Sequence, residues 1–217
     1  MTLHLAEFQE TGQTPPTGVD LFTSRGTFRA TAMPDGDMPD SVDINEVAAH
    51  AVKLGELGIL ELLLEDTPTL IHARFVHRDT LLSLAAQNGR AAICHTLLAL
   101  EADVEAVDIS GENSLHWASR NGHHQIAKML LDAGLGPNVT NLSGWSALHY
   151  ACCNGHTEVV EVLLASGADP TLVTLDGENA TFMAAKNTHK DVLELLMSGG
   201  RPGDELDALY GDKTVVV

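Results

Sequence analysis

The 217-residue sequence predicts an all-α solenoid in which short helix-turn-helix units, joined by hairpin loops, lie side by side. The first observation is a recurring phrase, Ala85-Ala86-Gln87-Asn88-Gly89, Ala118-Ser119-Arg120-Asn121-Gly122 and Ala151-Cys152-Cys153-Asn154-Gly155, whose glycines step by 33 (122 − 89 and 155 − 122). The second is a phrase that follows each copy, such as Ile126-Ala127-Lys128-Met129-Leu130-Leu131 and Val159-Val160-Glu161-Val162-Leu163-Leu164. Its apolar residues at i, i+1, i+4 and i+5 make one face of a helix and no face of a strand. The third is composition: aromatics are only 4% of a chain that is 44% hydrophobic, so the core must be built from Leu, Ala, Val and Ile, which favours packed helices.

Each element of the unit has a local cause. The first helix carries an Ala-lined face that lets two helices approach closely, and its closing Gly suits the left-handed residue that ends a helix. The second helix ends at Gly134 or Gly167 for the same reason. The linking loops read Asp108-Ile109-Ser110-Gly111-Glu112, Asn141-Leu142-Ser143-Gly144-Trp145 and Thr174-Leu175-Asp176-Gly177-Glu178. Gly among Asp, Asn and Ser is turn chemistry, and it fits the tip of a hairpin. Thr80, Asn113, Ser146 and Asn179 follow as side chains able to cap the next helix. Stepping forward reaches Ala184-Ala185-Lys186-Asn187-Thr188, and stepping back 34 from Gly89 reaches Ala51-Val52-Lys53-Leu54-Gly55, so five units are expected. The one-residue excess falls between Thr67 and His77.

This unit resembles the ankyrin repeat. Ser114-Leu115-His116-Trp117-Ala118 and Ala147-Leu148-His149-Tyr150-Ala151 are similar to that family's T-P-L-H-x-A phrase without the Pro. Gly122-His123 and Gly155-His156 are similar to its G-H, and Leu163-Leu164-Ala165-Ser166-Gly167-Ala168-Asp169 to its closing phrase. The likeness covers roughly residues 43 to 201; residues 1 to 42, rich in Gly, Pro, Thr and Asp, are expected to form a mostly disordered arm, and 202 to 217 a tail. The end units depart from the pattern, as solenoid ends must when one face meets solvent: Thr181-Phe182 replaces Leu-His, and Thr188 replaces Gly.

The resemblance implies a protein-binding module, an adaptor or regulatory subunit, with an inhibitor of a partner enzyme such as a kinase as the alternative. It also implies that His116 and His149 hydrogen-bond locally and tie neighbouring hairpins, and that the hairpin tips with the first helices form the contact surface. The variable positions there are His77, Asp79, Gln87 and Asn88, then Ile109, Ser110, Glu112, Arg120 and Asn121. Units four and five add Leu142, Ser143, Trp145, Cys153 and Asn154, and Leu175, Asp176, Glu178, Lys186 and Asn187. Trp145 is the expected anchor, since a solvated hairpin tip has no need of a large aromatic, with Trp117 and Tyr150 next and the acidic side chains as a rim. Asn138 sits in the slot where the family can carry asparaginyl hydroxylation.

Charge narrows the partner. The chain holds 30 Asp and Glu against 12 Lys and Arg, a formal −18. Nucleic acid is disfavoured, because its affinity rests on basic residues displacing counterions, and a protein with a basic or mixed surface is the complement. The three cysteines, two of them adjacent, are expected as thiols, and no cofactor is expected. Neither a signal-like start nor a membrane-length apolar run is present, which points to a cytoplasmic or nuclear protein, monomeric when free. The eleven histidines follow the repeat, without the Cys-x-x-Cys pairs of a zinc site, so no metal is expected. No G-x-S-x-G, phosphate loop or H-E-x-x-H motif supports an enzyme. The closing Val215-Val216-Val217 could be captured by strand addition in a groove that reads a terminal carboxylate.

Overall fold

A computed structural model describes residues 43–198 and, outside them, the strand segments Val19–Thr23 and Gly26–Ala30. These two strands, β1 and β2, pair antiparallel in the register Val19 to Ala30 through Thr23 to Gly26. The expectations for the rest of the arm and for the tail, including the terminal valines, lie outside the described residues.

Among the described residues the repeat domain shows five helix pairs: α1 (Ile44–Leu54) with α2 (Leu57–Asp66), α3 (Leu81–Gln87) with α4 (Ala91–Ala99), α5 (Ser114–Arg120) with α6 (His124–Asp132), α7 (Ala147–Asn154) with α8 (Thr157–Ala165), and α9 (Ala180–Lys186) with α10 (Lys190–Met197). First helices pack in one row, α1 on α3, α3 on α5, α5 on α7 and α7 on α9, and second helices α4, α6, α8 and α10 pack in another. The row of first helices closes up on alanines: Ala85, Ala118, Ala151 and Ala184 are fully buried. Between the rows lies one continuous core, with Ile93, Leu97, Ile126, Leu130, Val159, Leu163 and Val192 supplied by the apolar face of each second helix.

All four anticipated caps form. Thr80, Asn113, Ser146 and Asn179 each accept a backbone N–H from the first turn of their helix, satisfying donors that have no partner inside it. The stretch from Thr67 to Asp79 holds two 3-10 turns, Pro68–His72 and Val76–Arg78. It closes a hairpin in which Phe75 N–H donates to Asp79 O at 2.9 Å. That hairpin matches those closed by Asp108 and Glu112, Asn141 and Trp145, and Thr174 and Glu178, each also at 2.9 Å. Arg78, at φ 66°, stands where the later hairpins have glycine.

Candidate functional site

Hairpin geometry follows from one side chain per loop. Asp108 Oδ1 accepts from the Ser110 and Glu112 N–H groups, Asn141 Oδ1 from those of Ser143 and Trp145, and Thr174 Oγ1 from that of Glu178. These bonds fold the tip back and push the residue after the Asp, Asn or Thr outward. Consecutive hairpins are then tied in a ladder, with Ile109 N–H on His77 O (3.0 Å), Leu142 N–H on Ser110 O (3.0 Å) and Leu175 N–H on Ser143 O (3.1 Å). The result is a row of aliphatic side chains in open solvent: Val76 is 76% exposed, Ile109 55%, Leu142 74% and Leu175 79%. Ile109, Leu142 and Leu175 are among the positions placed on the contact surface from sequence. Val76, one 33-residue step back from Ile109, was missed even though its neighbours His77 and Asp79 stand in the register of Ser110 and Glu112.

The two motif histidines tie hairpins in the manner the resemblance implied. His116 Nδ1 accepts the Asn113 N–H (3.1 Å), which leaves Nε2–H to donate to Val139 O and Trp145 O, both at 3.1 Å. His149 repeats this, with Nδ1 on the Ser146 N–H (3.0 Å) and Nε2–H on Leu172 O (3.0 Å). Burial holds both imidazoles below the ordinary histidine range, because a charged ring there would lose water.

A second ladder runs along the ends of the first helices. His156 Nε2–H donates to Arg120 O and His189 Nε2–H to Cys153 O, both at 3.0 Å, and each ring rests on the preceding unit's glycine, Gly122 or Gly155. Asn121 and Asn154 donate their side-chain amides to Gln87 O (3.1 Å) and Arg120 O (2.7 Å) in the preceding unit. These two asparagines are exposed, yet their amides are already engaged in stacking. Asn138 is similarly spent: its amide nitrogen donates to Gly167 O (3.1 Å) and its oxygen accepts from Asp169 N–H (2.8 Å).

Three sequence-based contact residues prove to be more internal than expected. Glu112 is only 5% exposed and Tyr150 8%, so neither forms a solvent-facing rim. Tyr150 Oη–H donates to Glu112 Oε1, which also accepts from Arg120 (2.8 Å) and Asn141 Nδ2 (3.2 Å). Burial and the adjoining carboxylate push the Tyr150 phenol well above its usual range, so it stays the donor. Trp145 closes its hairpin instead of standing at the tip; it is half-buried, with its ring tilted over Tyr150 at 4.8 Å between centroids. The Arg120 guanidinium fills the space between Tyr150 (4.2 Å) and Trp117 (4.7 Å), giving an alternating aromatic and cationic stack from unit three into unit four. Asp176 and Lys186 are exposed, the latter paired with Glu178 at 3.0 Å.

Beside this stack a shallow groove of about 380 Å³ gathers His77, Asp79, Gln87, Asp108, Ile109, Ser110, Glu112, Trp117 and Arg120 from units two and three. Seven of these nine were singled out from sequence; Asp108 was read as turn chemistry and Trp117 as a lesser contact. Burial, then the neighbouring Asp108, raises the Asp79 carboxyl above its ordinary value, and the wall is acidic in character. Trp145 does not line it.

A family model described as ankyrin repeats (3 copies) matches residues 47–141 and 133–205. The chain belongs to the ankyrin-repeat family. Ankyrin repeats are protein-protein interaction modules, and the all-α solenoid read from the sequence is the fold of this one. The chain is also similar to neurogenic locus notch homolog protein 1 of Xenopus tropicalis, at 32% identity over 83 residues, 38% of this chain and 3% of that protein. This ankyrin chain therefore spans a small fraction of the relative's length. Among the described residues no helix is long and apolar enough to cross a membrane.

Proposed function

We propose that this ankyrin domain acts as an adaptor or regulatory module that holds a protein partner along its hairpin tips and the adjoining groove. The observation that carries this is the aliphatic row Val76, Ile109, Leu142 and Leu175, four apolar side chains at least half exposed in one register. Scattered exposed apolar residues are ordinary, but an aligned set on a self-hydrogen-bonded scaffold offers contact area that partner binding would bury. The exposed part of Trp145 and the acidic groove at Asp79 flank the row, and the chain's formal −18 favours a partner with basic or mixed surface. Five stacked units can present an interface of ordinary size, roughly 1,200–2,000 Å² in total.

The test is affinity purification with mass spectrometry, comparing the full chain, its Leu142→Ser/Leu175→Ser variant, and a Glu161→Lys control on the opposite row of helices. Loss of a defined set of proteins from the tip variant alone is expected. Recovery of the same set by all three would place the contact elsewhere.

A further inference from the structure

Resting on that reading, we infer that the occupant of the tip row is an amphipathic α-helix of the partner with an apolar residue at every seventh position and Lys or Arg on its flanks. The argument starts from spacing. Adjacent units are stacked through directly packed helices, whose axes lie about 8–10 Å apart. The tip side chains therefore recur at about that interval. Seven residues of α-helix rise about 10.5 Å, and the heptad face drifts only about 20° per step, so one face can stay on all four tips for three steps.

Two other peptide shapes fit less well. In a β-strand, three residues also span about 10 Å, but side chains alternate, so successive third residues face opposite sides. Strand addition would moreover need free backbone donors, and the tip N–H groups of Ile109, Leu142 and Leu175 are each already given to the preceding hairpin. A polyproline segment has the right threefold period, at about 9.3 Å per turn, but it is recognised by grooves lined with aromatic rings. The row here is aliphatic throughout. A helix asks nothing of the tips except apolar contact, because its own backbone groups are satisfied internally. Charge sets its flanks: with 30 acidic against 12 basic residues, the chain attracts a cationic helix and repels an acidic one.

The probe is a fluorescein-labelled, Ala- and Lys-rich peptide of about 24 residues, long enough for three heptad steps, with Leu at every seventh position. It is titrated with the full chain and followed by anisotropy. Two control peptides carry the same leucines at every fifth position, which scatters them around the helix, or at every third position of a proline-rich sequence. The heptad peptide is expected to bind about tenfold or more tightly than either control, and Leu142→Ser/Leu175→Ser to weaken it by about tenfold or more. Because both leucines are largely exposed, circular dichroism and the urea midpoint of the variant should match the parent chain. Equal affinity for the three peptides, tighter binding of the proline-rich one, or indifference to the double substitution would overturn the inference. Should the tip variant lose its captured proteins while the heptad peptide fails to bind, the helical occupant is refuted and the tip surface stands. Should the captured proteins also persist, both fall.

Discussion

Substituting Gly122 by Ala isolates the contact that spaces the units. Gly122 has φ 78°, a conformation that costs an L residue about 1–2 kcal/mol. A Cβ there would lie 2.8 Å from His156 Nδ1 and 2.9 Å from Cε1, both in the next unit. The imidazole must move, and with it goes the His156 bond to Arg120 O, for about 0.5–1.5 kcal/mol more. Lost packing around the displaced ring brings the expected destabilisation to about 2–4 kcal/mol. Gly167→Ala is the control, since Gly167 has φ 86° but nothing within 4 Å of its notional Cβ, so only the backbone cost of about 1–2 kcal/mol applies. Urea unfolding of both variants measures the difference. Adding His156→Ala to Gly122→Ala should cost less than the sum of the two, because the second change removes the obstacle the first one meets. Equal destabilisation by Gly122→Ala and Gly167→Ala, or strict additivity in the cycle, would refute the idea that ring-on-glycine contact sets the spacing.

Removing the Glu112 carboxylate by Glu112→Ala strands the Arg120 guanidinium and the Tyr150 hydroxyl proton, leaving the Asn141 amide only its bond to Tyr150 Oη, and urea unfolding should show a loss of about 2–4 kcal/mol. His116 and His149 have folded pKa values below the ordinary 6.5, so the unfolded chain takes up more protons as pH falls through that value. Stability should be complete above about pH 6.5 and decline below it, and His116→Gln/His149→Gln should flatten that slope in urea midpoints measured across the range. The raised Asp79 carboxyl acts in the opposite sense in the acidic range above 3.8, where its contribution to stability should fall as pH rises. In native protein, a thiol reagent should label Cys153 first, because Cys94 and Cys152 are fully buried with thiols pushed up to about 12; rapid labelling of three thiols would contradict the packing.

How much of this was legible in the sequence depends on how far each feature reaches along the chain. Caps, helix-ending glycines and hairpin turns involve partners within four residues, so Thr80, Asn113, Ser146 and Asn179 declared their roles through local chemistry alone. Ring-on-glycine contacts involve the neighbouring unit, and the sequence showed only their parts: the glycines as helix ends and the histidines as members of the repeat. Arg78 was not legible: a left-handed Arg stands where the pattern wants glycine, and only the fixed hairpin closure of Phe75 on Asp79 shows it. Trp145 was placed too far out for a related reason, since its ring position is set by Tyr150 and not by the loop that carries it.

Glu112 makes the sharpest case, because the sequence contains its own control. Glu178 occupies the same register two units later, and Lys186 stands to it as Arg120 stands to Glu112 (178 − 112 and 186 − 120 are both 66). From sequence the two pairs look alike, an acid at the hairpin base and a base eight residues on. In the structure the Glu112 side chain is 6% exposed and that of Arg120 33%, whereas Glu178 is 25% and Lys186 59%. The difference lies in the neighbouring unit. Unit four covers the first pair with Asn141 and Tyr150, which bond to Glu112 and stack on Arg120, while among the described residues no further unit covers the second. In a stack of similar units a charged pair is therefore internal or peripheral according to its successor, and a surface inferred from one unit at a time will count as contact residues some that the next unit has already claimed. The tip aliphatics escape this trap, because the ladder that joins consecutive hairpins uses their backbone and leaves the Val76, Ile109, Leu142 and Leu175 side chains more than half exposed.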